Sequence, residues 1–278
     1  MTVTPPNFIE YNIYEMLKKK NLDKIYLSNE LKSKLNYGEK DSYSKRIIGV
    51  SGPNGVGKDT ILLGYLENKF VRANENLVRL PRTTSRTPRE FEIEGIDYFF
   101  KTEEEIFDTW KDYIAMTRYP ANNSIYAIDG MKMSNCLEDE EKYVLILAGI
   151  DFMPSIKYIF PESTSIYIMP PSPNILKQRL EVRGTPNKEL ADRLAVGEEE
   201  SLITFASLFG NYCFYNGVID KVIINDKLND SIFQFSNYIE DVINNSKTKK
   251  VCQDVIQEQF IDSLMGIYEK DGELFDQN

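Results

Sequence analysis

Residues 46–63, RIIGVSGPNGVGKDTILL, set a short β-branched run directly before a glycine-rich turn and an amphipathic helical pattern. That order demands a strand, a tight loop and a helix in immediate succession. Gly52, Gly55 and Gly57 let the backbone turn sharply and aim successive N–H groups at an anion. The helix that follows adds the positive end of its dipole, and Lys58 adds a point charge for terminal phosphates. The segment Gly52, Pro53, Asn54, Gly55, Val56, Gly57, Lys58, Asp59 and Thr60 is therefore expected to wrap a polyphosphate.

Asp59 is the odd member, because a Ser or Thr normally follows the lysine and supplies a hydroxyl to Mg²⁺. Two readings are open. The carboxylate caps the helix, where negative charge is favoured, or it ligates Mg²⁺, a hard cation that accepts carboxylate oxygen. Left unneutralised it would repel phosphate, which favours the metal-linked reading. Thr60 is one residue too far round the helix to stand in for the missing hydroxyl.

The rest of the chain supplies partners for this first strand. NLVRL (76–80), YVLILAGI (143–150), SIYIMP (165–170) and DKVIIN (220–225) are short apolar runs. They alternate with helical patterns at 172–183 and 189–209, which implies an α/β fold with a mostly parallel sheet covered on both faces. Residues 91–128 break into shorter, aromatic-rich strand-like pieces and read as an inserted antiparallel subdomain. Residues 1–45 carry helix-like apolar spacing at Ile9, Ile13 and Met16 and again at Leu27, Leu31 and Leu35, as a packing arm or a partner-binding arm. Residues 229–245 close the main domain as a helix, 246–250 form a polar hinge and 251–270 a terminal helix.

Composition narrows the chemistry. The 278 residues include no histidine, so His-based proton transfer and His-containing metal sites are excluded. The net charge of −10 argues against general affinity for nucleic acid or anionic membranes. No apolar run reaches the roughly 20 residues of a membrane span, and the N-terminus lacks a secretory pattern. A cytoplasmic protein with reduced thiols at Cys136, Cys213 and Cys252 is the expectation. An anionic substrate must then be held by a local concentration of cations. RLPRTTSRTPRE (79–90) provides one, with Arg79, Arg82, Arg86 and Arg89 within eleven residues. Arg86-Thr-Pro-Arg89 sets two guanidinium forks three residues apart in an extended segment, suited to a bidentate grip on a second phosphate.

Over residues 46–243 the chain resembles the guanylate kinase family. The matching pieces are GPNGVGKDT, TTSRTPRE followed by GIDYFF, QRLEVRG and KVIIND, in the family's order and at nearly its spacing. The resemblance implies a three-layer phosphate-loop kinase core spanning 46–245, with a monophosphate-binding insert at about 82–130, a helical lid at about 179–197 and helical extensions at 1–45 and 246–278. It implies transfer of the ATP γ-phosphoryl group, with Mg²⁺, to GMP or dGMP. Lys58 and the loop amides would hold ATP, with Asn225 near its adenine. Arg86 and Arg89 would hold the acceptor phosphate, assisted by Tyr98 and Tyr126. Arg179, Arg183 and Arg193 would close from the lid and neutralise charge on the transferring group. Asp151 would orient the acceptor, and Asp59 is the metal candidate.

The chain departs from the family where the base is read. Ala115 and Met116 stand where a glutamate is expected, Ile128 where a Ser or Thr is expected, and Asp151 lies two residues from the family's acid. An apolar wall of Ala115, Met116 and Ile128 would leave guanine's N1 and N2 donors unpaired, at about 1–3 kcal/mol per buried group. The acceptor is therefore open between GMP or dGMP, another nucleotide and a phosphorylated sugar such as ribose 1,5-bisphosphate, since Gly-Lys-Asp loops occur in kinases of that sugar and in phage deoxynucleotide kinases. A non-catalytic protein-binding module is the other alternative, and the intact loop and lid arginines weigh against it. A homodimer or protein partner through the terminal helices is a further expectation.

Overall fold

Ile47, Ile48 and Val50 are fully buried, so the first core strand is covered on both faces, as its continuous apolar run requires. The computed structural model describes residues 4–9, 26–38, 43–67, 76–185, 187–197 and 219–244. In chain order its elements begin with β1 (Phe8–Ile9), α1 (Asn29–Lys34), β2 (Ile47–Ser51), α2 (Lys58–Leu66), β3 (Leu77–Arg79), β4 (Arg82–Thr84) and β5 (Tyr98–Phe100). There follow α3 (Glu103–Asp108), β6 (Tyr113–Tyr119), β7 (Ser124–Asp129), α4 (Gly130–Leu137), β8 (Tyr143–Leu147) and α5 (Met153–Ile159). The last are β9 (Thr164–Met169), α6 (Pro173–Val182), a helical stretch α7 (187–197), β10 (Lys221–Ile224) and α8 (Leu228–Asn244).

The core sheet runs β10-β9-β2-β8-β3 with every pairing parallel. Its side chains sort by the period of two. Val144, Ile146, Tyr167 and Met169 enter one apolar cluster, and Leu145, Leu147, Ile166 and Ile168 enter the other. The second cluster is closed by α2 and α8, where Tyr65 and Phe235 meet edge-on with ring centroids 5.6 Å apart. The first is closed by α4, α5 and α1. This is the three-layer α/β arrangement expected from the sequence, and it gathers the carboxyl ends of parallel strands on one side, where such folds bind ligands.

A second sheet runs β1-β6-β7-β4-β5. The expectation of an antiparallel subdomain needs correcting. β6–β7 and β4–β7 are antiparallel, but β4–β5 and β1–β6 are parallel, so the sheet is mixed. The helical reading of Ile9 is also corrected. Phe8 and Ile9 pair with Met116 and Thr117 as an edge strand. Spacing alone misled because long-range contacts decide this segment: the Asn7 amide donates to the carbonyls of Trp110 and Tyr113 at 2.9 and 2.7 Å, and Phe8 packs on Phe107. Ile13 and Met16, the hinge at 246–250 and the terminal helix lie outside the described residues.

Leu27, Leu31 and Leu35 behave as the helical spacing predicts. All three are buried in the main core cluster, and Ser28 caps α1 by accepting from the Leu31 N–H at 3.1 Å. A Cβ added at Gly130 would lie 2.8 Å from a Leu31 methyl, so α1 and α4 touch through a position that has no room for a side chain. This part of the N-terminal segment belongs to the core and is not an appendage to it.

Candidate active site

The phosphate-loop backbone is shaped by three left-handed glycines, Gly52, Gly55 and Gly57, with φ of 139°, 86° and 99°. At Gly52 any Cβ would sit 2.2 Å from the Ile168 carbonyl oxygen, so the loop crosses the end of β9 too closely for another residue. Gly57 is the N-cap of α2. Neither Asp59 nor any other side chain caps that end, so the capping reading of Asp59 is not the observed one. Its carboxylate pairs instead with Arg79 at 2.8 Å and stays largely exposed. The Lys58 ammonium donates to the carbonyls of Gly52 and Pro53 at 2.6 and 3.0 Å, lying folded across the loop it serves.

A cleft of about 500 Å³ opens over this loop. Gly52, Asn54, Gly55, Gly57, Lys58, Asp59 and Thr60 line one end of it, and Arg86, Arg89, Tyr98 and Tyr126 line the other. Arg179, Arg183 and Arg193 share the same cleft, as does Asp151. Pro53 and Val56 of the loop, and Asn225, are not among the residues that line the cleft. The buried Asn225 amide donates to the Val56 carbonyl at 2.7 Å, and Arg179 donates to the Asn225 carbonyl at 2.8 Å, so these groups brace the loop from beneath.

At the far end Glu92 organises the arginine pair. It accepts from both terminal nitrogens of Arg86, from the Arg89 N–H at 2.8 Å and from the Arg89 guanidinium at 3.2 Å. Burial raises the Glu92 pKa, but these donors outweigh it and hold the carboxyl below the usual range. Burial alone would likewise loosen the Arg86 proton. Glu92 and Tyr126 reverse that, and its pKa is raised. Tyr126 is pushed up by burial and pulled down further by the Asn122 amide and by Arg86 and Arg82, so its hydroxyl is more acidic than a free phenol.

On the rim, Arg193 is buried and paired with Glu189, whose carboxylate accepts from its Nε at 2.9 Å. Arg183 is exposed at the end of α6. Loss of hydration at the cleft mouth, with Arg89 and Arg193 facing it, lowers its pKa from the usual arginine value. Cations from three distant segments thus surround one space, with room for one anionic group at the loop and another at the arginine pair.

The family model for guanylate kinase matches residues 44–242. The chain belongs to the guanylate kinase family. It is 29% identical over 198 residues to a guanylate kinase of Prochlorococcus marinus, covering 70% of this chain and 96% of that one. A second, from Prochlorococcus marinus subsp. pastoris, is 32% identical over 153 residues, covering 54% of this chain and 78% of the relative. In fold it is similar to the guanylate kinase of Anaplasma phagocytophilum, with a TM-score of 0.52 at 21% identity over 78% of this chain and 93% of that one. Membership makes the chain an ATP-dependent nucleoside monophosphate kinase.

For this member of the guanylate kinase family, the reading of an apolar base pocket is corrected. Ala115 and Ile128 lie opposite each other and continue inward into the main core, and Met116 is buried in a separate cluster on the other face. Thr117, Tyr119 and Tyr126 reach the cleft instead, joined by Arg82, Ala148, Gly149 and Phe152. A register irregularity between Tyr113 and Ala115 accompanies this placement, which motif alignment could not foresee. Sequence reasoning gave Arg79 and Arg82 only a general place in the basic run, and Glu92, Thr117 and Tyr119 no site role. The two arginines were visible in the basic run, and Glu92 falls three residues after Arg89, a spacing that permits pairing.

Proposed function

We propose that this kinase transfers the γ-phosphoryl group of ATP to GMP or dGMP, giving ADP and the nucleoside diphosphate. The observation that carries the reading is a single cleft shared by Lys58 and by Arg86 and Arg89. A donor phosphate on the loop and an acceptor phosphate on the arginine pair would then face each other inside one enclosure. The names of the relatives support guanylate as the acceptor.

The chemistry asks little of the protein beyond positioning and charge. An acceptor phosphate is already ionised near neutral pH, so no general base is needed. Lys58 and the loop N–H groups orient the donor, Arg86 and Arg89 fix the nucleophilic oxygen, and Arg179, Arg183 and Arg193 offset charge that builds on the transferring group. Mg²⁺ fits this arrangement in a limited way. Among the described residues no group of three acid, Cys or His side chains could cage an ion. Asp59 offers one cleft-lining carboxylate, with Oδ1 engaged by Arg79, and a single carboxylate with substrate phosphates and water is a common Mg²⁺ environment. When bound there, the ion would neutralise phosphate charge.

The test is an ADP-release assay across GMP, dGMP, other nucleoside monophosphates and ribose 1,5-bisphosphate, run beside Lys58→Ala. Turnover should be greatest with GMP or dGMP and should fall by orders of magnitude in the variant. Turnover confined to another acceptor would overturn the guanylate reading. Flat release across the panel would favour a non-catalytic module.

A further inference from the structure

The same cleft is lined by a further arginine and by buried polar groups that the proposed phosphate contacts leave unassigned. Arg82, at the start of β4, stands there among aromatic rings. Its guanidinium carbon lies 5.0 Å from the Tyr126 centroid, 5.6 Å from Tyr98 and 5.8 Å from Phe152. One terminal nitrogen donates to the Tyr98 hydroxyl at 3.3 Å, its one hydrogen bond among the described residues. The rings flank the half-buried guanidinium, and the lower local dielectric strengthens whatever its remaining N–H groups can bind.

Two further buried polar groups line the same cleft, each with one atom left unsatisfied. Asp151 is 2% exposed and Thr117 is 1% exposed, and both line the cleft. The Asp151 Oδ2 and the Thr117 Oγ1 are buried with no hydrogen-bond partner, although the two side chains lie close enough to influence each other. Unsatisfied polar atoms at this depth are rare in folded proteins and mark a place where a ligand completes the bonding.

The distances also give the cleft a direction. Arg86 and Arg82 share Tyr98 and Tyr126, but Arg86 lies 5.7 Å from the Phe100 centroid and is held by Glu92, whereas Arg82 lies 5.8 Å from Phe152. The unshared neighbours therefore distinguish a phosphate end, with Arg86, Glu92 and Phe100, from an inner end, with Arg82, Phe152, Asp151 and Thr117. A nucleoside monophosphate laid along the cleft with its phosphate on Arg86 puts its base at that inner end.

We infer that Arg82 is the specificity-determining residue for the acceptor base, its fork donating to O6 and N7 of guanine while Asp151 and Thr117 take the N1 and N2 edge. Guanine carries adjacent acceptors at O6 and N7, which an arginine fork matches bidentately, and donors at N1 and N2, which a carboxylate accepts. Adenine would turn its N6 donor toward the guanidinium. A second phosphate in place of a base would press against Asp151. The inference rests on GMP or dGMP being the acceptor.

The deciding experiment compares kcat/KM for GMP and 7-deaza-GMP, which lacks the N7 acceptor, in the wild type, Arg82→Met and Arg82→Lys. The wild type should prefer GMP by roughly ten- to hundredfold, the range of a good bidentate pair. Both variants should lose most of that preference, because lysine keeps a cation but not the fork. ADP binding by calorimetry, which reports the donor end, confirms that each variant is folded. If GMP turnover persists in the wild type but the variants lower both substrates equally, Arg82 only supports the aromatic cluster and the inference fails alone. If the wild type does not turn over GMP, the acceptor reading itself fails. Retention of the GMP preference by Arg82→Lys would overturn bidentate recognition.

Discussion

Glu92 accepts from both terminal nitrogens of Arg86, at 2.7 and 2.8 Å, in a pair whose side chains are only 15% and 10% exposed. The carboxylate thereby fixes the plane of the guanidinium proposed to hold the acceptor phosphate. A fork held in place before the ligand arrives loses little freedom on binding.

Glu92→Gln should therefore raise the KM for the acceptor several-fold while changing kcat less, and lower stability by about 1–3 kcal/mol, the worth of hydrogen bonds to a charged group. Steady-state kinetics and urea melts check both. The folded-state pKa of Glu92 lies below the usual range, so its stabilising contribution is present above the unfolded value and lost as pH falls. A lower KM in the variant would mean that Glu92 competes with the phosphate and does not position its receptor.

Asp151 carries the opposite sign. Burial pushes its pKa up to about 6, with Arg82 holding it back from rising further. Unfolded, the carboxyl titrates near 3.9, so between the two values the folded state binds the extra proton and stability declines as pH rises. Two units correspond to about 3 kcal/mol at most. Asp151→Asn should stabilise the fold at pH 7.5, with the gain shrinking toward pH 4. Denaturant melts across that range give the answer, and a gain that is constant with pH would show that the carboxyl is not the titrating group.

The Asp59–Arg79 pair is exposed on its acid side, and such pairs contribute about 0–1 kcal/mol. Asp59→Ser should leave the melting temperature nearly unchanged, retain activity and shift the relative rates with Mg²⁺ and Mn²⁺. Complete loss of ATP binding with the fold intact would count against a metal-linked role.

Leu31 is fully buried against the Gly130 position. Leu31→Ala should cost about 2–5 kcal/mol by leaving a cavity, and Gly130→Ala should also destabilise by collision. Urea denaturation of the full chain measures both. Near-zero effects would mean that the contact between α1 and α4 does not stabilise the fold.

Much of the site was legible in the chain because its signals are local. The glycines around Lys58 specify left-handed backbone wherever they fold, and the apolar runs at 143–147 and 164–169 can only be strands buried on both faces. Arg86 and Arg89 are brought to the cleft by a short extended segment that needs little tertiary help.

Other features depend on where distant segments come to rest. Period-two alternation could place Thr117 and Ala115 on one face, but it could not say where that face leaves the cleft and enters the core. Sequence also could not bring Arg82 beside Asp151, turn Ile9 into an edge strand or bury Leu31 under α4. By itself the sequence determined the phosphate loop, the class of sheet and the basic run, because steric limits and periodicity act over a few residues. Tertiary structure alone decided which polar groups share the inner end of the cleft, because that outcome follows from strand register and core packing summed over the whole domain.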